Sequence, residues 1–243
     1  MKKGLYLSFS LKQISIILFS ALLIASAVCG VHYATMSVAT MNVESLKQVI
    51  IVDAGHGGID GGTQSSSGII EKDINLAIAQ KVGNLLSLMG YETIYTRDSD
   101  NIIYPESCKT TRQKKVWDIH RRMDIIEENP NAIFLSIHQN YFTQSKYSGA
   151  QVFYSHINPE SEAIAGYIQS AVVKNLQKDN SRQVKKSGTE IYLLYHSKNP
   201  AVMVECGFLS NPAEALLLND EDYQSKMAIS IVEGLTQYLK ESN

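Results

Sequence analysis

The sequence predicts an α/β fold: a single domain built on a mostly parallel, twisted sheet with helices on both faces. Three observations predict it. Short β-branched runs alternate along the chain with amphipathic helical periods of ten or more residues. Several of the strand candidates are continuously apolar, as strands covered on both faces are. No Pro- or Gly-rich linker interrupts residues 49–243, so one domain accounts for all of these elements.

The N-terminal segment stands apart from that pattern. Lys2, Lys3 and Lys12 precede an uncharged run over residues 14–31, followed within it by Ala25-Ser26-Ala27. A basic flank, an apolar stretch and small residues describe a secretory signal peptide, and the same features describe an uncleaved membrane anchor. Either reading assigns residues 1–31 to export. Val28 stands before Cys29 where a lipoprotein signal has a small residue, so lipid attachment is not expected. Residues 32–48, with the echo Ala34-Thr35-Met36-Ser37-Val38 and Ala39-Thr40-Met41-Asn42-Val43, read as a tether. The α/β domain then occupies residues 49–243.

Within it, Val49-Ile50-Ile51-Val52 is a buried strand. Ile74, Ala77, Ile78, Val82, Leu85, Leu86 and Met89 recur at three- and four-residue steps, predicting a helix that ends at Gly90. Residues 91–96 are strand-like, 116–128 helical up to Pro130, and 132–137 a continuous apolar strand. A strand over 149–154 and a helix over about 161–177 follow. Residues 191–194 and 201–204 predict two more strands, and helices over 213–218 and 223–240 complete the pattern.

Composition limits what such a domain does. The 243 residues carry 22 Lys+Arg against 24 Asp+Glu, a net charge of −2 that supplies no general field for nucleic acid. Loss of Lys2, Lys3 and Lys12 with a cleaved signal would leave 19 against 24, or −5. Cys29, Cys108 and Cys206 are too few for a disulfide framework, and no bridge is expected within the domain. Lys109, Arg112, Lys114, Lys115, Arg121 and Arg122 form a basic run that reads as a solvated face, with docking of a partner or an anionic glycan as the alternative.

In open α/β sheets ligands bind beyond the carboxyl ends of the strands, and polar residues collect there. The first strand runs into Asp53-Ala54-Gly55-His56-Gly57-Gly58-Ile59-Asp60-Gly61-Gly62, which places five of fifteen glycines in eight positions. It has no Gly-Lys-Ser/Thr, and Asp60 stands where a dinucleotide fingerprint needs glycine, so it is not a phosphate loop. Its histidine is accessible instead. His138 directly follows the apolar strand 132–137, and Glu71 opens the first helix. Two imidazoles and a carboxylate from separate elements would form a metal site with an open position for water; the alternatives are a structural histidine in a glycine loop, a histidine capping a strand end and a glutamate favoured by the helix dipole. Glu205 ends a continuous apolar strand, where a carboxylate is costly to bury unpaired, and beside an activated water it would serve as general base. Cys206 points to the opposite face from Glu205, as strand neighbours do.

These blocks carry a resemblance. Residues 52–62, Glu71, Ser136-Ile137-His138-Gln139-Asn140 and the run from Val204 through Glu205-Cys206-Gly207-Phe208-Leu209-Ser210-Asn211-Pro212 resemble the signature blocks of the zinc-dependent N-acetylmuramoyl-L-alanine amidases of the amidase 3 family, in order and spacing. Gln139 and Cys206 are small departures from that pattern. The resemblance implies a peptidoglycan hydrolase that cuts the amide between muramic acid and L-alanine. It implies one catalytic zinc ion (Zn2+) held by His56, Glu71 and His138, Glu205 as the catalytic residue, and an orienting or structural Arg122. A short architecture without wall-binding repeats or a covering helix is similar to the germination-specific amidases, which prepare spore cortex for muramic-δ-lactam formation. Peptidoglycan is then the substrate, a regulatory protein the expected partner, nucleic acid none, and the membrane an anchor point for the N-terminal segment. Two other readings stay open at this stage: a zinc peptidase cutting within the stem peptide, and a catalytically silent peptidoglycan-binding scaffold.

Overall fold

The apolar N-terminal run forms one long helix, α1 (Leu11–Ser45), in the computed structural model, which describes residues 10–45 and 48–242. The basic residues Lys2 and Lys3 of the signal reading, and Leu46 and Lys47 of the tether reading, lie outside the described residues. Within α1, Leu11–Gly30 has a mean hydropathy of 2.1 and is long and apolar enough to cross a membrane. The helix continues through most of 32–48, so the stretch read as a tether is helical up to Ser45. The chain divides into two units, Met1–Lys47 and Gln48–Asn243.

In the second unit β1 (Val49–Ala54) leads to α2 (Glu71–Leu88), β2 (Glu92–Tyr95), α3 (Thr111–Glu128) and β3 (Ile133–Asn140). Then come β4 (Gln151–Tyr154), α4 (Glu160–Asn175), β5 (Lys185–Lys186), α5 (Tyr192–His196), β6 (Ala201–Phe208), α6 (Pro212–Leu218) and α7 (Glu221–Glu241). The six strands lie in the order β2-β1-β3-β6-β4-β5. Neighbours β2, β1, β3 and β6 are parallel, whereas β4 runs antiparallel to β6 and β5 pairs parallel to β4. A parallel return needs a crossover helix. The link from β3 to β4 contains none, so β4 comes back reversed and the sheet is mixed at that edge.

Helices cover both faces. On one, Met123 and Ile126 of α3 and Leu193 and Leu194 of α5 pack on Ile51, Phe134 and Met203 of the sheet. On the other, α2 and α4 pack on the sheet and α7 packs on both of them.

Several boundaries differ from the sequence reading: β6, for one, runs past 204 to Phe208, which puts Glu205 inside the strand rather than at its end. Residues 191–194 are not a strand: Ile191 caps α5 and the helix takes the other three, because a four-residue apolar run without a strand partner cannot be told from a buried helical turn by periodicity. The helix α3 starts at Thr111 rather than 116, since the Thr110 side chain accepts from Gln113 N in a reciprocal capping box. The apolar strand runs on to Asn140, which puts His138 inside β3 rather than just past it. The exposed pair Lys185–Lys186 of β5 has no hydrophobic signal and is invisible to pattern reading. Cys108 and Cys206 are both free thiols.

Candidate active site

Strand alternation aims the functional residues. Ile51, Phe134 and Met203 belong to the core under α3 and α5, and residues at even steps from them on the same strand share that face. Asp53, Ser136, His138 and Glu205 therefore converge at the carboxyl ends of β1, β3 and β6, where His138 and Glu205 are paired in register. Cys206 points the other way into the core, and burial pushes its thiol far up, with the Glu205 charge adding to the effect. It is no thiolate.

His56 follows β1 in a left-handed conformation, φ 60°, a backbone state that costs a non-glycine residue of order 1–3 kcal/mol. The loop holds it there through Gly57 N to Asp60 O (2.9 Å) and through Arg122 Nη2 donating to the His56 carbonyl. His56 Nδ1 lies 2.9 Å from Asp60 Oδ2, which leaves Nε2 facing Glu71 Oε1 at 3.3 Å. His138 Nδ1 lies 3.0 Å from the same Glu71 oxygen. One ligand-capable atom from each of His56, Glu71 and His138 falls within 4.8 Å of the others.

Glu71 is 1% exposed at the start of α2. Its Oε2 accepts from Thr63 N (2.8 Å) and Thr63 Oγ1 (3.1 Å), and its Oε1 from Gln139 N (3.1 Å). Two glycines make room for the imidazoles. A Cβ on Gly55 would lie 2.1 Å from His138 Nε2, and one on Gly62, at φ 69°, would lie 2.7 Å from His56 Cδ2.

Glu205 completes the group. It is half-buried on the wall of a cleft of about 510 Å³ that also reaches His56, His138, Tyr104 and Tyr192. Its Oε2 is buried with no hydrogen-bond partner. Every sequence-predicted site residue, His56, Glu71, His138 and Glu205, is thus brought to one place.

The chain compares with known proteins at this same place. The sequence profile described as N-acetylmuramoyl-L-alanine amidase matches residues 50–237. This chain belongs to that family. It is an N-acetylmuramoyl-L-alanine amidase and acts on peptidoglycan. It is 38% identical over 194 residues to the germination-specific N-acetylmuramoyl-L-alanine amidase of Bacillus subtilis, covering 80% of this chain and 81% of that one. The CwlD amidase of Clostridioides difficile, solved in complex with the GerS lipoprotein, superposes with a TM-score of 0.77 at 44% identity, covering 80% of this chain and 100% of that one. The amidase AmiA of Escherichia coli is 28% identical over 236 residues, covering 79% of this chain and 76% of that one.

The amidase has supporting residues, of which the resemblance points to Arg122 alone. Arg122 is not part of a solvated basic face: it is 2% exposed, with Nη1 donating to Asp53 Oδ1 at 2.6 Å and Nε to Asp118 Oδ2 at 2.9 Å. Lys115 is likewise engaged, 2.6 Å from Asp60 Oδ1, and Arg121 pairs with Asp118. Only Lys109 and Arg112 of the run remain fully outside such pairs and exposed. Gln139, the departure in the third block, is buried and donates to Asn75 Oδ1 at 3.1 Å. Asp53 and Asp60 could be found only by asking which cation each carboxylate meets.

Charge sets the protonation of the centre. Burial raises the Asp53 pKa, but the Arg122 charge and hydrogen bonds from Ser136 and Thr96 outweigh it and hold it at about 2. Burial likewise works to raise Glu71, and the bonds and charges of His138 and His56 bring it well below the carboxylate range. For His56 burial lowers the pKa, while Asp60 and Glu71 lift it to about 9. The centre therefore attracts positive charge, and a divalent cation binding there would displace that proton. Burial pushes Glu205 up, His138 draws it back and Glu71 adds to the rise, leaving it at about 7. A carboxylate poised near neutrality is suited to take up and return a proton.

Proposed function

We propose that His56, Glu71 and His138 hold one zinc ion and that Glu205 is the general base and acid of amide hydrolysis. The observation that carries this is the convergence of two imidazoles and one carboxylate within 4.8 Å, beside a carboxylate oxygen left without a partner. Donor chemistry fits zinc, which takes histidine nitrogen and carboxylate oxygen and keeps an open position in catalytic sites. The Asp60 carboxylate on His56 Nδ1 is the outer support that fixes an imidazole's tautomer and frees Nε2 for the metal. When bound, zinc supplies polarisation of the lactyl carbonyl and acidification of water.

The chain's own residues do the rest. Glu205 takes a proton as water oxygen forms its bond to the lactyl carbon, then returns it to the alanine nitrogen as the C–N bond breaks. Asp53, Arg122 and Ser136 keep β1 and β3 in register behind the site. The L-alanine-terminated stem peptide leaves with the proton that Glu205 carried.

The relatives support a biological setting: one is germination-specific and another was solved with a lipoprotein. Spore-cortex peptidoglycan is the substrate in this reading, cleared of stem peptides for muramic-δ-lactam formation, with α1 exporting the enzyme or anchoring it at the membrane beside a lipoprotein-class partner. No feature favours a stem-internal peptidase or a silent scaffold. Metal analysis tests the ligand set: the purified enzyme should carry about one zinc per chain, and His56→Ala and His138→Ala should each lose it. Stoichiometric zinc in both variants would sink the assignment.

A further inference from the structure

Beside the catalytic cleft runs a second groove of about 370 Å³, lined by Phe142, Tyr147, Gln151, Phe153, Arg182 and Phe208. The two are linked through the sheet. Gln151 on β4 is paired with Glu205 on β6, and opposed residues of an antiparallel pair carry their side chains on one face about 4.5–5.5 Å apart. Arg182 Nη2 donates to Gln151 Oε1 at 2.6 Å, and its guanidinium lies 4.9 Å from the Phe208 ring centroid. One bond and one stacking contact thus fix the guanidinium plane.

Arg182 Nε is buried with no partner. Buried donors are almost always satisfied, so this one is open to a partner entering the groove. Glu214, the carboxylate on that side, is occupied by Phe208 N (2.7 Å) and Gly149 N (2.8 Å). The segment carrying Arg182 is held in place before any ligand arrives: Asn180 Oδ1 accepts from Arg182 N, Asn180 Nδ2 donates to Ala150 O, and Gln151 Nε2 donates to Gln183 O. Lys185, 5.6 Å from the Phe153 ring centroid, adds a second positive charge.

We propose that Arg182 and its aromatic floor are the subsite for the first free carboxylate of the stem peptide, on the residue that follows L-alanine. This rests on the reading that Glu205 marks the scissile amide. Two residues of extended peptide reach about 7 Å, and the Arg182 charge is close enough to Glu205 to act on its carboxyl. A planar guanidinium with a free inner donor suits a carboxylate, and the aromatic floor covers the peptide's apolar edge.

Two soluble muramoyl-peptides that differ only in whether this carboxylate is free or amidated test the subsite. Wild-type enzyme should prefer the free acid in kcat/KM by about tenfold or more, mainly through KM, as a charge-assisted hydrogen bond predicts. Arg182→Leu should bring the preference close to unity, and Arg182→Lys should keep part of it. Absence of a wild-type preference, or a preference unchanged in Arg182→Leu, overturns the proposal. So does Arg182→Leu hydrolysing both substrates as wild type does while failing to bind a protein partner, which would make the groove a docking face. Binding of the same two peptides to Glu205→Gln enzyme needs no turnover. It reads the subsite directly and separates its failure from a failure of the role given to Glu205.

Discussion

Glu205→Ala should lower amidase activity by a factor on the order of 10²–10⁴, the usual contribution of a positioned general base, with zinc content unchanged. The variant should fold as well as the parent. Glu205 is half-buried and its Oε2 makes no hydrogen bond, so its removal breaks no bond at that oxygen and relieves the cost of holding an unpaired carboxylate out of water. A melting temperature equal to or above wild type, together with lost activity, is the expected pair of results. Full activity in the variant would contradict the role.

Arg122→Met should have the largest effect on stability, about 3–5 kcal/mol, because it leaves the buried Asp53 carboxylate without its cation. For a unit of this size that is a fall in melting temperature of roughly 6–20 °C. Activity should fall as well, since Arg122 Nη2 also donates to the carbonyl of His56, whose left-handed backbone depends on its surroundings. Adding Asp53→Asn to Arg122→Met should cost much less than the sum of the two single changes, as coupled partners do. Strict additivity would show that the pair does not act as a unit.

Much of the fold and the core of the site can be read without coordinates, because both rest on short-range patterns. β-Branched runs and three- and four-residue spacings locate nearly every element; His138 and Glu205 can be found because each directly follows an apolar run, and His56 because it stands in the glycine loop after one. What escapes has meaning only in three dimensions. Asp53 and Arg122 are 69 residues apart, and a basic run containing Arg122 and Lys115 looks solvated until Asp53, Asp118 and Asp60 are seen opposite it. The left-handed backbone of His56 has no signature in the sequence, since its flanking glycines would serve a flexible loop equally well. Residues 191–194 have strand-like composition but cover the sheet as α5 instead of joining it. Arg182 lies in a polar stretch with no pattern at all; only its buried, unpaired Nε next to Phe208 singles it out.

The central claim is that this His-Glu-His centre and Glu205 open the bond between muramic acid and L-alanine. Mass spectrometry of peptidoglycan digested with the zinc-loaded enzyme tests it most directly. The predicted products are intact stem peptides with a free L-alanine amino terminus and glycan strands with unsubstituted lactyl groups. Shortened stems still attached to muramic acid would mean cleavage within the peptide and would contradict it.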